Sequence, residues 1–482
     1  MPYEPVIGLE IHCQLLTATK IFCGCPTAFG APPNTHVCPV CLGMPGALPV
    51  LNRRAADFAV TAALALGCDV HERSIFARKN YFYPDLPKGY QISQYEQPLA
   101  TGGRVDIEVD GVRKPVRLTR IHMEEDAGKS LHEGFPDSER QTYLDYNRAG
   151  VPLIEIVSEP DMRSAAEAAA FFEKLRQLLV WLGVNDGNME EGSLRCDANV
   201  SVRPVGADQL GTKTEVKNVN SFRHLEKAIG YEIGRQIDVL EHGGRVVQET
   251  RLFDAAQART YAMRSKEGAH DYRYFPEPDL PPLVIDETRK RALLDLIPEL
   301  PEARMQRYVE ALGLPVYDAN LLTQSRPLAD YFEETARLSG NPKPASNWVM
   351  GELLRTMKER DVTIEDVPLR PARLAGLIGL VESGLISSTV AKDVFVKMYE
   401  SGRSARQIVD EEGLAQIGDT AALGAMVTGI VAANPDAVEQ VRKGRNNAFG
   451  FLVGQVMKAS KGKANPKIVN ELLVAALRDE RS

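Results

Sequence analysis

The stretch Val6–Gln14 leaves the backbone little choice. Ile7, Leu9 and Ile11 alternate with Gly8, Glu10 and His12, the period-two pattern of a strand buried on one face. Glu10 and His12 fall side by side on the other face, a carboxylate and an imidazole two residues apart on rigid backbone. Such a pair either holds a divalent cation or forms a solvated polar face. The same design recurs later in the chain. In Ser193–Arg203, Leu194, Cys196, Ala198, Val200 and Val202 point inward while Arg195, Asp197, Asn199, Ser201 and Arg203 share the open face. Lys213, Glu215 and Lys217 alternate likewise, and Glu155 sits alone in the apolar run Gly150–Val157, where a buried carboxylate needs a partner. Glu124, Glu125 and Asp126 are consecutive acids that repel one another unless a cation or base neutralises them; magnesium and a solvated acidic turn are the two readings. Nearby Gly128-Lys129-Ser130 is no phosphate loop, because the leading glycine would fall at Met123. One sheet offering acids, amides and bases on its open face meets the needs of metal–nucleotide phosphoryl transfer: carboxylates hold Mg²⁺, and lysine and arginine neutralise the migrating group.

A second metal signature follows the first strand. Cys23 and Cys25 are separated by 12 residues, rich in Pro and Gly, from Cys38 and Cys41. Two close pairs at this spacing are the arrangement of a four-thiolate zinc knuckle, structural because no ligand position stays open. The first pair is C-x-C where C-x-x-C is usual, and free thiols are the rival reading. Cys13, Cys68 and Cys196 lie in apolar patterns and are expected to pack.

Phe76–Gln91 crowds aromatics with Arg78, Lys79, Lys88 and Asp85 between prolines and glycines. It reads as a ligand loop, with cations among rings suited to phosphate or a base; a solvated surface turn is the alternative. Helices are expected at 55–67, 164–182 and 222–241, and the charged and aromatic segments Met263–Glu267 and Asp271–Leu280 close this part. From about residue 293 periodic Leu, Ala and Val with charged residues predict helices alone. Between Arg442 and Lys467 seven basic residues stand without an acidic one, a local nucleic-acid signal in a chain of net charge −8; a solvated face is the alternative. At 482 residues, 44% hydrophobic and 25% charged, the chain is expected to form two or three globular domains. It has no run of roughly 18 apolar residues and no basic-then-apolar leader, so no membrane association and a cytoplasmic location are expected.

Gly8–His12, Cys38–Pro49, Arg78–Lys88 and Gly150–Val157 resemble, over essentially the whole length, the B subunits of the tRNA-dependent amidotransferases. The resemblance implies an α+β fold: a glutamine-synthetase-like cradle with an open-faced antiparallel sheet (1–292, with the zinc knuckle at 23–41), an all-α helical domain (293–405) and a small α-helical tail domain holding tRNA (406–482). It implies a heterotrimer completed by an amidase, the A subunit, with a small C subunit. ATP would phosphorylate the side-chain carboxylate of misacylated Glu-tRNA(Gln) or Asp-tRNA(Asn), and ammonia from the amidase would displace phosphate. Glu10, His12 and Glu125 are then expected as Mg²⁺ ligands with catalytic roles, Glu155 and Asp197 beside them, His12 acting through water. Lys79, Lys88, Arg195, Lys213 and Lys217 would meet ATP or line the ammonia path. Two other classes stay open: a zinc-containing RNA-binding protein without catalysis, and an ATP-dependent ligase acting on a free small acid.

Overall fold

The computed structural model describes residues 2–132, 134–219, 221–263, 272–416, 420–460 and 464–479. It divides into two compact units, Met1–Leu300 and Pro301–Ser482.

The first unit is organised around the strand Tyr3–Gln14, which lies mid-sheet between Leu194–Pro204 and Pro152–Ser158 and pairs antiparallel with both. Val112–Glu125 continues the sheet beyond Pro152–Ser158. Thr214–Lys217, Thr250–Asp254 and Arg259–Ala262 extend the opposite edge. The sheet is mixed where an antiparallel one was expected, because Thr214–Lys217 and Thr250–Asp254 run parallel. The intervening helix Phe222–Glu241 is the cause: it carries the chain back along the sheet, so the next strand enters in the same direction.

One face of this sheet is the core. Ile7, Leu9, Ile11, Cys13, Ile154, Ile156, Cys196 and Ala198 are buried on it. Phe171, Phe172 and Leu175 of helix Ala165–Trp181 and Leu225 and Ile229 of helix Phe222–Glu241 join the same cluster. Each of the buried Ile, Leu and Phe side chains among them contributes about 1.5–3 kcal/mol of burial. The helices start where side-chain caps take up otherwise unpaired N–H groups: Ser164 Oγ accepts from Glu167, and Ser221 Oγ from His224. Asp161, three residues earlier, pairs with Arg117. The helices leave the opposite face of the sheet to its polar residues.

Phe76–Gln91 is more regular than a broken loop. Ala77–Asn80 and Tyr90–Ser93 pair antiparallel, and Phe275–Pro276 adds a third strand. Pro84, Pro87 and Gly89 are confined to the turn between the strands. Four-residue strands are too brief to carry a visible alternation.

The second unit is helical. One core runs from Tyr308 to Val409 through Phe332, Leu353, Leu377 and Phe395; another gathers Leu423, Val427, Leu452, Val456, Val469 and Leu473. Among the described residues no single helix is long and apolar enough to cross a membrane. Of the segment Met263–Glu267, residues 264–267 lie outside the described residues, as does Asp271.

Candidate active site and thiolate cluster

Strand register assembles the polar face. His12 lies opposite Glu155 on one side and Arg195 on the other, and Glu155 lies opposite His122. A ligand atom from each of His12, Glu124 and Glu155 falls within 4.8 Å of the other two. His12 Nε2 stands 3.5 Å from Glu155 Oε2. His122 Nε2 is 3.6 Å from the same oxygen and 3.8 Å from Glu124 Oε2. Burial works against ionising Glu155, but the imidazoles of His12 and His122 and the ammonium of Lys79 outweigh it and hold its carboxyl well below the usual range. Burial likewise opposes charge on His12, and Glu155 overrides it to raise the imidazole pKa. Lys79, 5.0 Å from the Tyr272 ring centre and 5.9 Å from that of Tyr81, has its pKa raised against burial by Glu124 and Glu155. Two carboxylates, two imidazoles and an ammonium thus share one largely buried patch.

Glu10 borders the patch. It accepts a hydrogen bond from Asn199 Nδ2 at 2.8 Å, and burial together with the nearby charge of Glu155 raises its pKa. Across the strand pair, Asp197 receives Lys217 Nζ at 2.6 Å, and Lys217 reaches Glu215 at 3.0 Å. Other expected site residues are engaged elsewhere. Glu125 pairs with Lys88 and accepts the Ile92 N–H, so the cluster draws on its neighbour Glu124. Arg195 is committed to Asp126 through two hydrogen bonds of 2.9 and 3.1 Å. Lys213 is exposed, one residue before its strand.

Glu124 and His122 carry more of this site than the sequence reading allotted them. The signal was available: Ile121 and Met123 are fully buried, so period two puts His122 and Glu124 together on the other face. With a histidine and two carboxylates the group can hold a divalent cation. The carboxylate oxygens suit Mn²⁺ and Mg²⁺ alike, and the imidazole tilts the set towards a transition metal.

The four cysteines also converge, with Cys23, Cys25, Cys38 and Cys41 each bringing a sulfur within 4.8 Å of the rest. Four soft donors at that spacing fit zinc. The Cys23 thiol, the Cys38 N–H and the Lys20 ammonium hold the Cys41 thiol well below its usual range, against burial. A cavity of about 210 Å³ separates this knuckle from the Lys88–Glu125 pair and is lined by Lys20, Cys41, Lys88, Tyr90 and Glu125.

Comparison with known proteins follows the same lines. A family model described as the GatB/GatE catalytic domain matches residues 5–291, and one described as the GatB domain matches residues 330–477. The B subunit of the aspartyl/glutamyl-tRNA(Asn/Gln) amidotransferase of Chlorobium phaeobacteroides is 58% identical over 98% of this chain and 99% of its own length. The chain belongs to this B-subunit family. Proteins of the same name from Geotalea uraniireducens and Geobacter sulfurreducens are each 57% identical over 99% of the chain and all of their own length. The acidic patch and the cysteine knuckle both lie inside the segment matched to the GatB/GatE catalytic domain. The basic run lies inside the segment matched to the second GatB domain. There Arg442 ends the helix Pro435–Arg442, Lys458 lies on Asn446–Ala459 and Lys467 opens Pro466–Asp479; Lys461 and Lys463 lie outside the described residues.

Proposed function

We propose that this chain is the activating subunit of a glutamine-dependent, tRNA-dependent amidotransferase, and that the patch of His12, Glu124, Glu155 and Lys79 is where ATP meets the misacylated residue. The side-chain carboxylate of Glu or Asp on tRNA attacks the γ-phosphorus and ADP departs. Ammonia then adds to the acyl carbon, phosphate leaves, and ammonia gives up a proton. A carboxylate is a poor acyl donor until one oxygen is made a phosphate leaving group, which is why the chemistry requires ATP. The acyl phosphate must also be kept from water.

The observation that carries this reading is the convergence of acids from separate strands on one polar face with bases beside them. His12, Glu124 and Glu155 would hold a divalent cation, with Glu10 next to it, and such a cation neutralises polyphosphate charge. Lys79 supplies a fixed positive charge over the patch. Lys217, held by Asp197 and Glu215, supplies another. Lys88 and Glu125, bounding the cavity that reaches the cysteine knuckle, are assigned to the route by which ammonia arrives from a partner amidase. The knuckle itself would hold zinc and fix the fold around residues 23–41. The domain at 1–292 would be the catalytic cradle, 293–405 the helical domain and 406–482 the tail, whose basic run would hold tRNA phosphates. A small third polypeptide would complete the assembly.

The test is to incubate the assembled complex with γ-labelled ATP and misacylated tRNA while omitting glutamine and ammonia. Label transferred to aminoacyl-tRNA, and lost in Glu155→Gln, supports the assignment. Efficient amidation of free glutamate would refute it.

A further inference from the structure

Lys20 is fully buried, with no exposed surface. Its ammonium donates to the backbone oxygens of His36 at 2.7 Å and Tyr146 at 3.2 Å, and to Cys41 Sγ at 3.6 Å. Among the described residues no carboxylate lies within ion-pairing distance of it. A buried ammonium without a negative partner is costly, and of its three acceptors only the sulfur can carry a full negative charge. Cys41 Sγ also accepts the Cys38 N–H at 3.2 Å, so two N–H donors converge on one sulfur. The Lys20 backbone N–H donates to Cys25 O at 2.9 Å. One residue thus holds both halves of the knuckle, the first through its backbone and the second through its charge.

We propose that Lys20 is the built-in counter-charge of the four-cysteine site, a positioning residue that stabilises the metal-bound thiolates. The inference rests on the reading of this cluster as a zinc site. A divalent ion and four thiolates leave a net dianion in a half-buried pocket, and the Lys20 ammonium offsets part of that charge where water cannot. Partners of metal ligands of this kind alter affinity by about 10- to 100-fold.

The experiment uses the full chain. Metal content of the parent and of Cys41→Ser is measured first, and zinc release to a competing chelator is then followed for the parent, Lys20→Met and Lys20→Gln. The parent should hold zinc and both Lys20 variants should release it at least about tenfold faster. After cobalt substitution, their sulfur-to-metal charge-transfer bands should move to lower energy, because a nearby cation no longer stabilises the sulfur electrons. A merely structural role would not move those bands. If neither variant folds, the parent still decides the matter: amine labelling of Lys20, read by mass spectrometry, should rise once zinc is stripped. A parent without zinc overturns both this inference and the zinc reading. A zinc-loaded parent whose variants keep its release rate and band positions overturns the role of Lys20 alone, as does labelling that ignores zinc.

Discussion

His12 and Glu155 face each other directly across an antiparallel strand pair, Nε2 to Oε2 3.5 Å apart, and Glu124 closes the group from the next strand out. Because the three come from different strands held by backbone hydrogen bonds, a cation entering among them needs little reorganisation of the chain. Glu155→Gln should therefore weaken Mn²⁺ binding by on the order of tenfold or more, read by electron paramagnetic resonance of the free ion. Glu125→Gln, which touches Lys88 and not this group, should leave the affinity close to that of the parent.

The Arg195–Asp126 pair predicts a stability effect. Asp126 is held well below the usual carboxylate range: burial opposes its charge, but Arg195 and Arg148 outweigh it. Arg195→Met strips the double hydrogen bond and leaves Asp126, nearly fully buried, short of its main partner. A loss of about 3 kcal/mol is expected, measured by chemical denaturation of the full chain with a probe in the first unit.

Glu232 predicts a pH dependence far from the acidic patch. It is fully buried and receives Arg235 at 2.6 and 3.0 Å and Gln236 Nε2 at 2.9 Å. Burial raises its pKa, but the hydrogen bonds from Arg235 and Gln236 win and the carboxyl stays below its ordinary 4.5. A depressed native pKa gives stability that is present above the unfolded value and is lost as pH falls through the native one. The melting-temperature difference between the parent and Glu232→Gln should accordingly be constant near neutrality and shrink as the buffer is taken below 4.5.

The tail's basic run predicts salt-sensitive tRNA binding. Replacing Arg445, Lys458 and Lys467 by alanine should weaken binding of the complex to tRNA. It should also flatten the slope of log affinity against log salt, by about 0.9 for each duplex phosphate no longer neutralised. Filter binding over a salt series checks both; an unchanged slope would remove the tail from the interface.

Much of the first unit was legible because period-two alternation survives where one face is buried. Ile7, Leu9 and Ile11 enter the core, and Glu10 and His12 stay on the polar face. The cysteine spacing likewise anticipated a cluster that the chain does form. What alternation does not disclose is pairing between distant strands. Nothing local in Thr250–Asp254 says that it runs parallel to Thr214–Lys217; that direction is set by the helix between them. The acidic triplet was legible in part. Glu124 and Glu125 are chemically alike, and only the buried neighbours Ile121 and Met123 decide that Glu124 joins His12 while Glu125 turns to Lys88. In Ala77–Ser93, the prolines and glycine of the turn masked two strands of four residues each.

The central seat of Tyr3–Gln14 makes this segment sensitive to length more than to lettering. From Glu10 to Cys13 it is paired with a strand on each side, so no free side is left there on which an added residue could bulge out. A one-residue shift of this stretch against its neighbours would swap its two faces, driving a carboxylate and an imidazole into oil and turning Ile11 and Cys13 out of the core. Evolution can exchange side chains here one at a time, but the spacing itself has to be inherited whole.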